Sequence, residues 1–583
     1  MNRKERRALG KPSPGGQPQP GGRVSPALPV LAEASHQQRL GKLDQAAKLY
    51  KRALVIEPDN AEALNAYACL LLELGQPEEA SERFARSISL IPEVFEQYPN
   101  VLKTLQSVNP ALRQAMERAM QAWPRLLAVG ELFGPGGIIA VARDPLFRAM
   151  LELASVRDLG LEYVVTSMRA ALLDMAAAAG ASGRVDESLL PFHCALARQC
   201  FVNEYVFAIT PDEVDKAERL RAKLDDALAA NAPVSPLWLV AVAAYGPLGV
   251  SKNAASLASR KWPAPLRAVI TQQIDEPREE RELAASIPVL TPIDDEVSQK
   301  VRQQYEENPY PRWVGAATRR NKIALQDYLR ADFRTGFRDL WSGKVIDMLI
   351  AGCGTGRQSI ETACLFHNVK VLAVDLSLAS LAYAVRKTRE VVVPNIEYAQ
   401  ADILNLGMIG RTFDVISCGG VLHHMADPMQ GWRVLLSLLR PGGLMQLAFY
   451  SEIGRRNVVA ARAIIAERGF QATPEGIRSC RRELTLSPAR GITRIFDFFT
   501  TSECRDLVFH VQEHRLGIPD IKAFLTANGL EFIGFRLPGE IRQSYAARFP
   551  DDRTMTNLDH WHAFETANPE TFTGMYQFWV QRT

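Results

Sequence analysis

The sequence lacks any pair of cysteines at zinc-ligand spacing. Its eight cysteines (Cys69, Cys194, Cys200, Cys353, Cys364, Cys418, Cys480 and Cys504) are scattered, with no CxxC among them. That argues against a zinc or disulfide framework and fits a reducing cytoplasm. An excess of one charge is missing too. The 68 Lys and Arg against 65 Asp and Glu leave a formal net charge of +3 over 583 residues, so bulk electrostatics indicate neither nucleic acid nor an anionic membrane as partner. No long apolar run is present. The longest stretch, near residues 237–250, is broken by Gly246, Pro247 and Gly249 and is too short to span a bilayer. The basic start MNRKERRALGK runs into Pro, Gly and Gln instead of an apolar segment, which argues against a secretory signal. What is there is ordinary for a globular chain: 47% apolar and 23% charged residues, at a length that calls for two or three domains.

Residues 1–30 read as a disordered tail. A repeat then recurs at an offset of 34 residues: Gly41 as Gly75, Ala46 as Ala80, Tyr50 as Phe84, Leu54 as Ile88 and Pro58 as Pro92. The glycine suits a turn between two helices, the alanine a close crossing, the aromatic a gap-filler and the proline a helix stop. This resembles the tetratricopeptide repeat, here over residues 31–120. Fewer than three repeats seldom stand alone, so the helical spacing of residues 121–290 is expected to cap the array as scaffold. Residues 291–335 form a linker with YEENPYPRW at 305–313. From 336 to 583 strands and helices alternate, which predicts an α/β doubly wound sheet.

The chemistry concentrates in that half. The expected first strand, residues 345–350, runs directly into AGCGTG and then a helix, a turn that brings backbone and helix N–H groups close to a ligand. Gly352, Gly354 and Gly356 give GxGxG, whereas the dinucleotide fingerprint would need glycine where Arg357 stands. The second strand ends in Asp375, which can accept hydrogen bonds from both ribose hydroxyls of a nucleoside. Asp402 follows a third strand, FDVIS (413–417) makes a fourth, LRPGG (439–443) turns into a fifth at 444–450, and strands at 530–537 and 572–582 complete the sheet.

Together these segments resemble the Rossmann-like class I S-adenosylmethionine-dependent methyltransferases over residues 345–450, and HHM after the fourth strand resembles that of the small-molecule ubiquinone/menaquinone group. The whole chain resembles bacterial tetratricopeptide-repeat methyltransferases. The resemblance implies S-adenosyl-L-methionine as cofactor, held by Gly352, Cys353, Gly354, Gly356, Asp375, Leu376, Asp402, Ile403 and Gly419, and a methyl acceptor that the family leaves open. Methyl transfer needs positioning more than side-chain chemistry. A general base matters for a hydroxyl or acidic carbon, and His423 and His424 are the candidates; the alternative is that they only shape the loop.

A helical insertion after the fifth strand, at about 451–517, would begin at the ligand crevice and is expected to be a substrate lid. Its Arg455, Arg456, Arg462, Arg505, His510 and His514 suggest an anionic acceptor, unless they pair with Glu452, Glu467 and Asp506. HVQEH matches the HxxEH metalloprotease pattern, and on a helix Asp506, His510 and His514 would share a face. Without a distant glutamate ligand no metal is expected. Tyr305, Tyr310, Arg312 and Trp313 either close over the cofactor or staple the two halves, and Tyr450 ends the fifth strand beside the crevice. An active methyltransferase with the helical half as docking module, for a protein partner among other possibilities, stands against a non-catalytic cofactor-binding scaffold and a nicotinamide oxidoreductase.

Overall fold

The computed structural model describes residues 26–90, 98–180, 186–315, 322–334, 336–337 and 343–583. The expected tail up to residue 25 and Pro92 lie outside them. The chain divides into two compact units between Ile274 and Asp275, so residues 275–290, grouped with the helical scaffold on sequence, lie in the second unit.

The first unit is helical throughout its described residues. Helices Leu43–Ile56, Ala61–Glu73 and Pro77–Leu90 carry the repeat. Gly41 and Gly75 turn between helices at φ +75° and +73°, a region only glycine enters without cost. Ala46, Tyr50, Ala80 and Phe84 are all buried, as the crossing and gap-filling roles require. The apolar stretch near 237–250 forms the helix Pro236–Tyr245, whose residues Leu237–Ala244 are all buried within this unit. Enclosure explains its hydrophobicity, and no helix among the described residues is long and apolar enough to cross a membrane.

The second unit is built on a seven-stranded sheet in the order β3-β2-β1-β4-β5-β7-β6. Its strands are β1 Ile346–Ala351, β2 Val369–Asp375, β3 Ile396–Gln400, β4 Phe413–Gly419, β5 Leu439–Phe449, β6 Leu530–Phe535 and β7 Tyr576–Arg582. β1 to β5 run parallel, whereas β7 is antiparallel to both neighbours. Apolar residues on both faces explain the unbroken hydrophobic runs. Leu349, Ile416, Leu447 and Phe578 pack on one side; Met348, Ile350, Val371 and Trp579 pack on the other. The LRPGG segment is part of β5 instead of a separate turn, and pairing with β4 shifts register between Phe413 and Val415. Helices Gly539–Arg548 and Leu558–Ala567, between β6 and β7, were not anticipated. Strand order reverses between β1 and β4, and a ligand crevice belongs at the carboxyl ends of those strands.

Candidate active site

Three glycines leave β1 in the left-handed region: Gly352 at φ +76°, Gly354 at +51° and Gly356 at +81°. Each is required twice over, because a Cβ would stand 2.2 Å from Val421 Cγ2, 2.5 Å from the Tyr310 carbonyl oxygen and 2.4 Å from Ala384 Cβ respectively. Gly356 caps the helix Arg357–Leu365, and Arg357 pairs with Glu361 at 2.9 Å. Cys353 is buried within the turn. The Gly354 N–H donates to Asp375 Oδ2 at 2.7 Å and the Ser377 N–H to Oδ1 at 3.0 Å. The Leu376 backbone adds a further bond to this carboxylate, and its two oxygens offer about four acceptor sites, so a lone pair remains for a ligand. Burial pushes the Asp375 pKa up against these bonds. Leu376 follows, half-buried.

Asp402 caps the turn Ile403–Ile409 through Oδ1, and its N–H donates to Thr291 Oγ1 at 2.8 Å. Its Oδ2 is buried without a hydrogen bond, although the Ser298 side chain faces the carboxylate. Ser298 is the protein's own donor beside it, and the carboxylate keeps further lone pairs for a ligand donor. Ile403 is buried beside it, and Gly419 lies exposed at the end of β4.

The segment 305–313 lies across this turn. The Thr355 N–H donates to the Tyr310 carbonyl, Thr355 Oγ1 donates to the Pro311 carbonyl, and Trp313 Nε1 donates to Thr355 Oγ1 at 3.0 Å. Glu306 accepts from the Leu378 and Ala379 N–H groups at 2.6 and 3.2 Å, capping the helix that follows Asp375. Ser377 Oγ donates to the Tyr305 carbonyl at 3.1 Å. Trp313 and Arg312 contact Tyr383, so these two brace the turn from its outer side. Tyr305 and Tyr310, 6.2 Å apart and nearly parallel, face the lid.

The insertion after β5, expected to be a lid, holds helices Arg456–Arg468, Pro474–Leu486 and Thr501–Phe509. The last is shorter than HVQEH requires. His510 caps its end with φ −57° and ψ 138°, and the chain then runs extended so that the His514 N–H reaches the His423 carbonyl at 2.7 Å and the Leu516 N–H that of Tyr450 at 3.0 Å. His514 therefore leaves the face on which Asp506 and His510 stand. His424 takes its place: ligating atoms of His424, Asp506 and His510 lie within 4.8 Å of one another.

His423 packs 4.1 Å from the Tyr450 ring, with both ring nitrogens buried and the Ala448 backbone beside the imidazole. His424 Nδ1 meets the Gln512 carbonyl at 2.8 Å, and its ring stacks on His510 at 3.5 Å. Burial pushes the pKa of all three imidazoles down, that of His510 to about 2. The lid arginines are taken by the protein itself. Arg455 pairs with Glu513 at 2.8 Å and covers Tyr450, Arg456 pairs with Glu570, Arg462 donates to the His510 carbonyl, and Arg505 holds Glu307 at 2.7 Å and Asn308 at 2.5 Å. An acceptor anion thus finds no guanidinium among these four without a protein partner. Glu306, Ser377, Gln512 and Glu513 were missed on sequence. Glu306 sat inside YEENPYPRW and Gln512 and Glu513 inside HVQEH, whereas Ser377 carried no signal.

The sheet order with its antiparallel β7, the glycine turn and the two acidic residues at successive strand ends define a class I methyltransferase domain. A family described as a methyltransferase domain matches residues 348–443, and a tetratricopeptide-repeat family matches residues 38–97. An uncharacterised protein of Synechococcus is 31% identical over 32% of this chain and 48% of its own length. The ubiquinone biosynthesis O-methyltransferase of Coxiella burnetii is 31% identical over 26% of this chain and 64% of its own. The chain thus spans between 48% and 64% of these curated relatives. Among solved structures, PKMT2 from Rickettsia typhi aligns with a TM-score of 0.35 at 16% identity, over 44% of this chain and 52% of that one. On the two family matches, the chain carries tetratricopeptide repeats followed by a methyltransferase domain.

Proposed function

We propose that the C-terminal unit transfers a methyl group from S-adenosylmethionine to an acceptor held beneath the lid, with the helical half docking that acceptor or a protein partner. One observation carries this: three glycines held left-handed by close neighbours, with the Asp375 carboxylate directly against the turn. Asp375 would orient the ribose through its remaining lone pairs, and Asp402 Oδ2 would take a donor from the adenine. Gly352, Cys353, Gly354, Gly356, Leu376, Ile403 and Gly419 would line the rest. When bound, the cofactor supplies an electrophilic methyl carbon. The chain's own task is to orient the acceptor at Tyr450, His423 and His424 and to exclude water under Tyr305 and Tyr310. The name of the Coxiella relative favours oxygen as the methylated atom, and the repeat match favours a macromolecular partner.

Calorimetry with S-adenosylhomocysteine and with NADH tests the reading. Binding of the first and not the second is expected, and the reverse would overturn it. Removing residues 1–274 is expected to leave that affinity unchanged while abolishing transfer to a macromolecular acceptor; unchanged transfer would remove the docking role.

A further inference from the structure

The buried cluster where the lid meets β4 has one consistent arrangement of protons. The Gln512 N–H donates to His510 Nδ1 at 3.2 Å, so the His510 proton sits on Nε2. Tyr305 Oη donates to Asp506 Oδ1 at 2.6 Å and lies 3.3 Å from His510 Nε2, from which it accepts. Asp506 Oδ1 is then an acceptor, although burial pushes the Asp506 pKa up, against the neighbouring His424, Tyr305 and Arg455, which lower it. His424 differs. Its Nδ1–H is fixed on the Gln512 carbonyl, and its Nε2 makes no hydrogen bond within the described residues.

A metal ion does not account for this cluster. The His424 and His510 rings are stacked 3.5 Å apart with only 18° between their planes. In-plane lone pairs of rings stacked so nearly parallel lie in separate planes and do not converge on one ion, and His510 Nε2 already carries a proton.

We infer that His424 Nε2 receives the proton of a hydroxyl acceptor, phenolic or enolic, with Asp506 as the counter-ion and Tyr305 and His510 as positioning residues. This rests on the methyltransferase reading of the same crevice. The acceptor oxygen forms its bond to the methyl carbon while the S–C bond breaks and leaves its electron pair on sulfur. The hydroxyl proton passes to His424. A base is needed for this class because a neutral hydroxyl is a poor nucleophile, whereas an uncharged amine attacks through its own lone pair. The roles of the adjacent histidines separate on their surroundings. His424 feels Asp506 and, less strongly, Glu513, against Arg455 and His510. His423 faces His424, His510 and Arg455, which all oppose a proton there, with only the Ala448 backbone in its favour, whereas Asp506 favours a proton on His424. His423 is sealed completely, and His424 retains a little exposure.

Full-length protein with ring-labelled histidine tests this by nitrogen NMR, beside S-adenosylhomocysteine calorimetry and label transfer from methyl-labelled cofactor into cell extract. In wild type, His424 Nε2 is expected bare, and the label should enter a methyl ether stable to mild base. His424→Gln should cut transfer on the order of a hundredfold or more with cofactor affinity within about twofold of wild type. Asp506→Asn should lower the His424 titration midpoint and cut transfer about tenfold or more. A proton on Nε2, label released by base as methanol or bound to nitrogen, an unmoved midpoint in Asp506→Asn, or stoichiometric zinc lost with that substitution would each overturn the inference. Failure of wild type to bind S-adenosylhomocysteine would instead overturn the underlying methyltransferase reading.

Discussion

Replacing Gly354 by alanine separates two costs that the glycine turn avoids. The residue sits at φ +51°, where an L side chain loses about 1–2 kcal/mol. In addition, the new Cβ would stand 2.5 Å from the Tyr310 carbonyl oxygen, about an ångström inside ordinary van der Waals contact. Backbone cannot rotate away as a flexible side chain can. The carbonyl must withdraw and give up the Thr355 N–H bond at 3.3 Å, which contributes about 1 kcal/mol. A total near 2–3 kcal/mol follows for the second unit. Gly410 provides the control. It lies at φ +64° with nothing within 4 Å of its Cβ position, so Gly410→Ala carries the conformational cost alone. Urea unfolding should therefore rank the two, and calorimetry with S-adenosylhomocysteine should show about tenfold or greater weakening only for Gly354→Ala, a 1.4 kcal/mol effect. Equal affinity in both variants would refute the claim that segment 305–313 completes the cofactor site.

Asp375→Ala should weaken cofactor binding by on the order of 1–3 kcal/mol through lost charged hydrogen bonds, and a wild-type affinity in calorimetry would contradict the ribose assignment. Arg455→Ala should destabilise the second unit by about 3–5 kcal/mol in urea unfolding, because Glu513 would be left buried without its cation; a loss below about 1 kcal/mol would show that water reaches it. His193, pushed by burial to about 4 in the helical unit, binds fewer protons folded than unfolded between pH 6.5 and 4. Stability that is complete above pH 6.5 is then lost as pH falls, by about 2 kcal/mol at pH 5. His193→Gln should flatten unfolding curves in that window by about one proton, and an unchanged slope would refute the assignment.

The glycine turn was legible in the sequence because its cause is local. GxGxG follows an apolar strand directly, and Asp375 ends the next one. The repeat was legible for the same reason, since Gly41 and Gly75 each do their work within one turn. The lid was not. HVQEH has helical spacing, yet the chain beyond Phe509 must run extended to meet His423 and Tyr450, and nothing in the five residues encodes that demand. Arg455 and Arg505 looked available because their partners, Glu513 and Glu307, are 58 and 198 residues away in sequence. The antiparallel β7 likewise depends on the route of the two helices before it, which carry no strand pattern to betray direction.

The coverings over the crevice share their fasteners. Tyr305 is tied to Asp506, and Glu307 and Asn308 to Arg505, so the segment across the glycine turn and the helix Thr501–Phe509 are fastened to each other. Under the proposed chemistry, spent cofactor and methylated product would share a single exit step. Turnover would then be paced by how often that latch releases, and its rate would respond to Arg505→Ala even though Arg505 touches neither reactant.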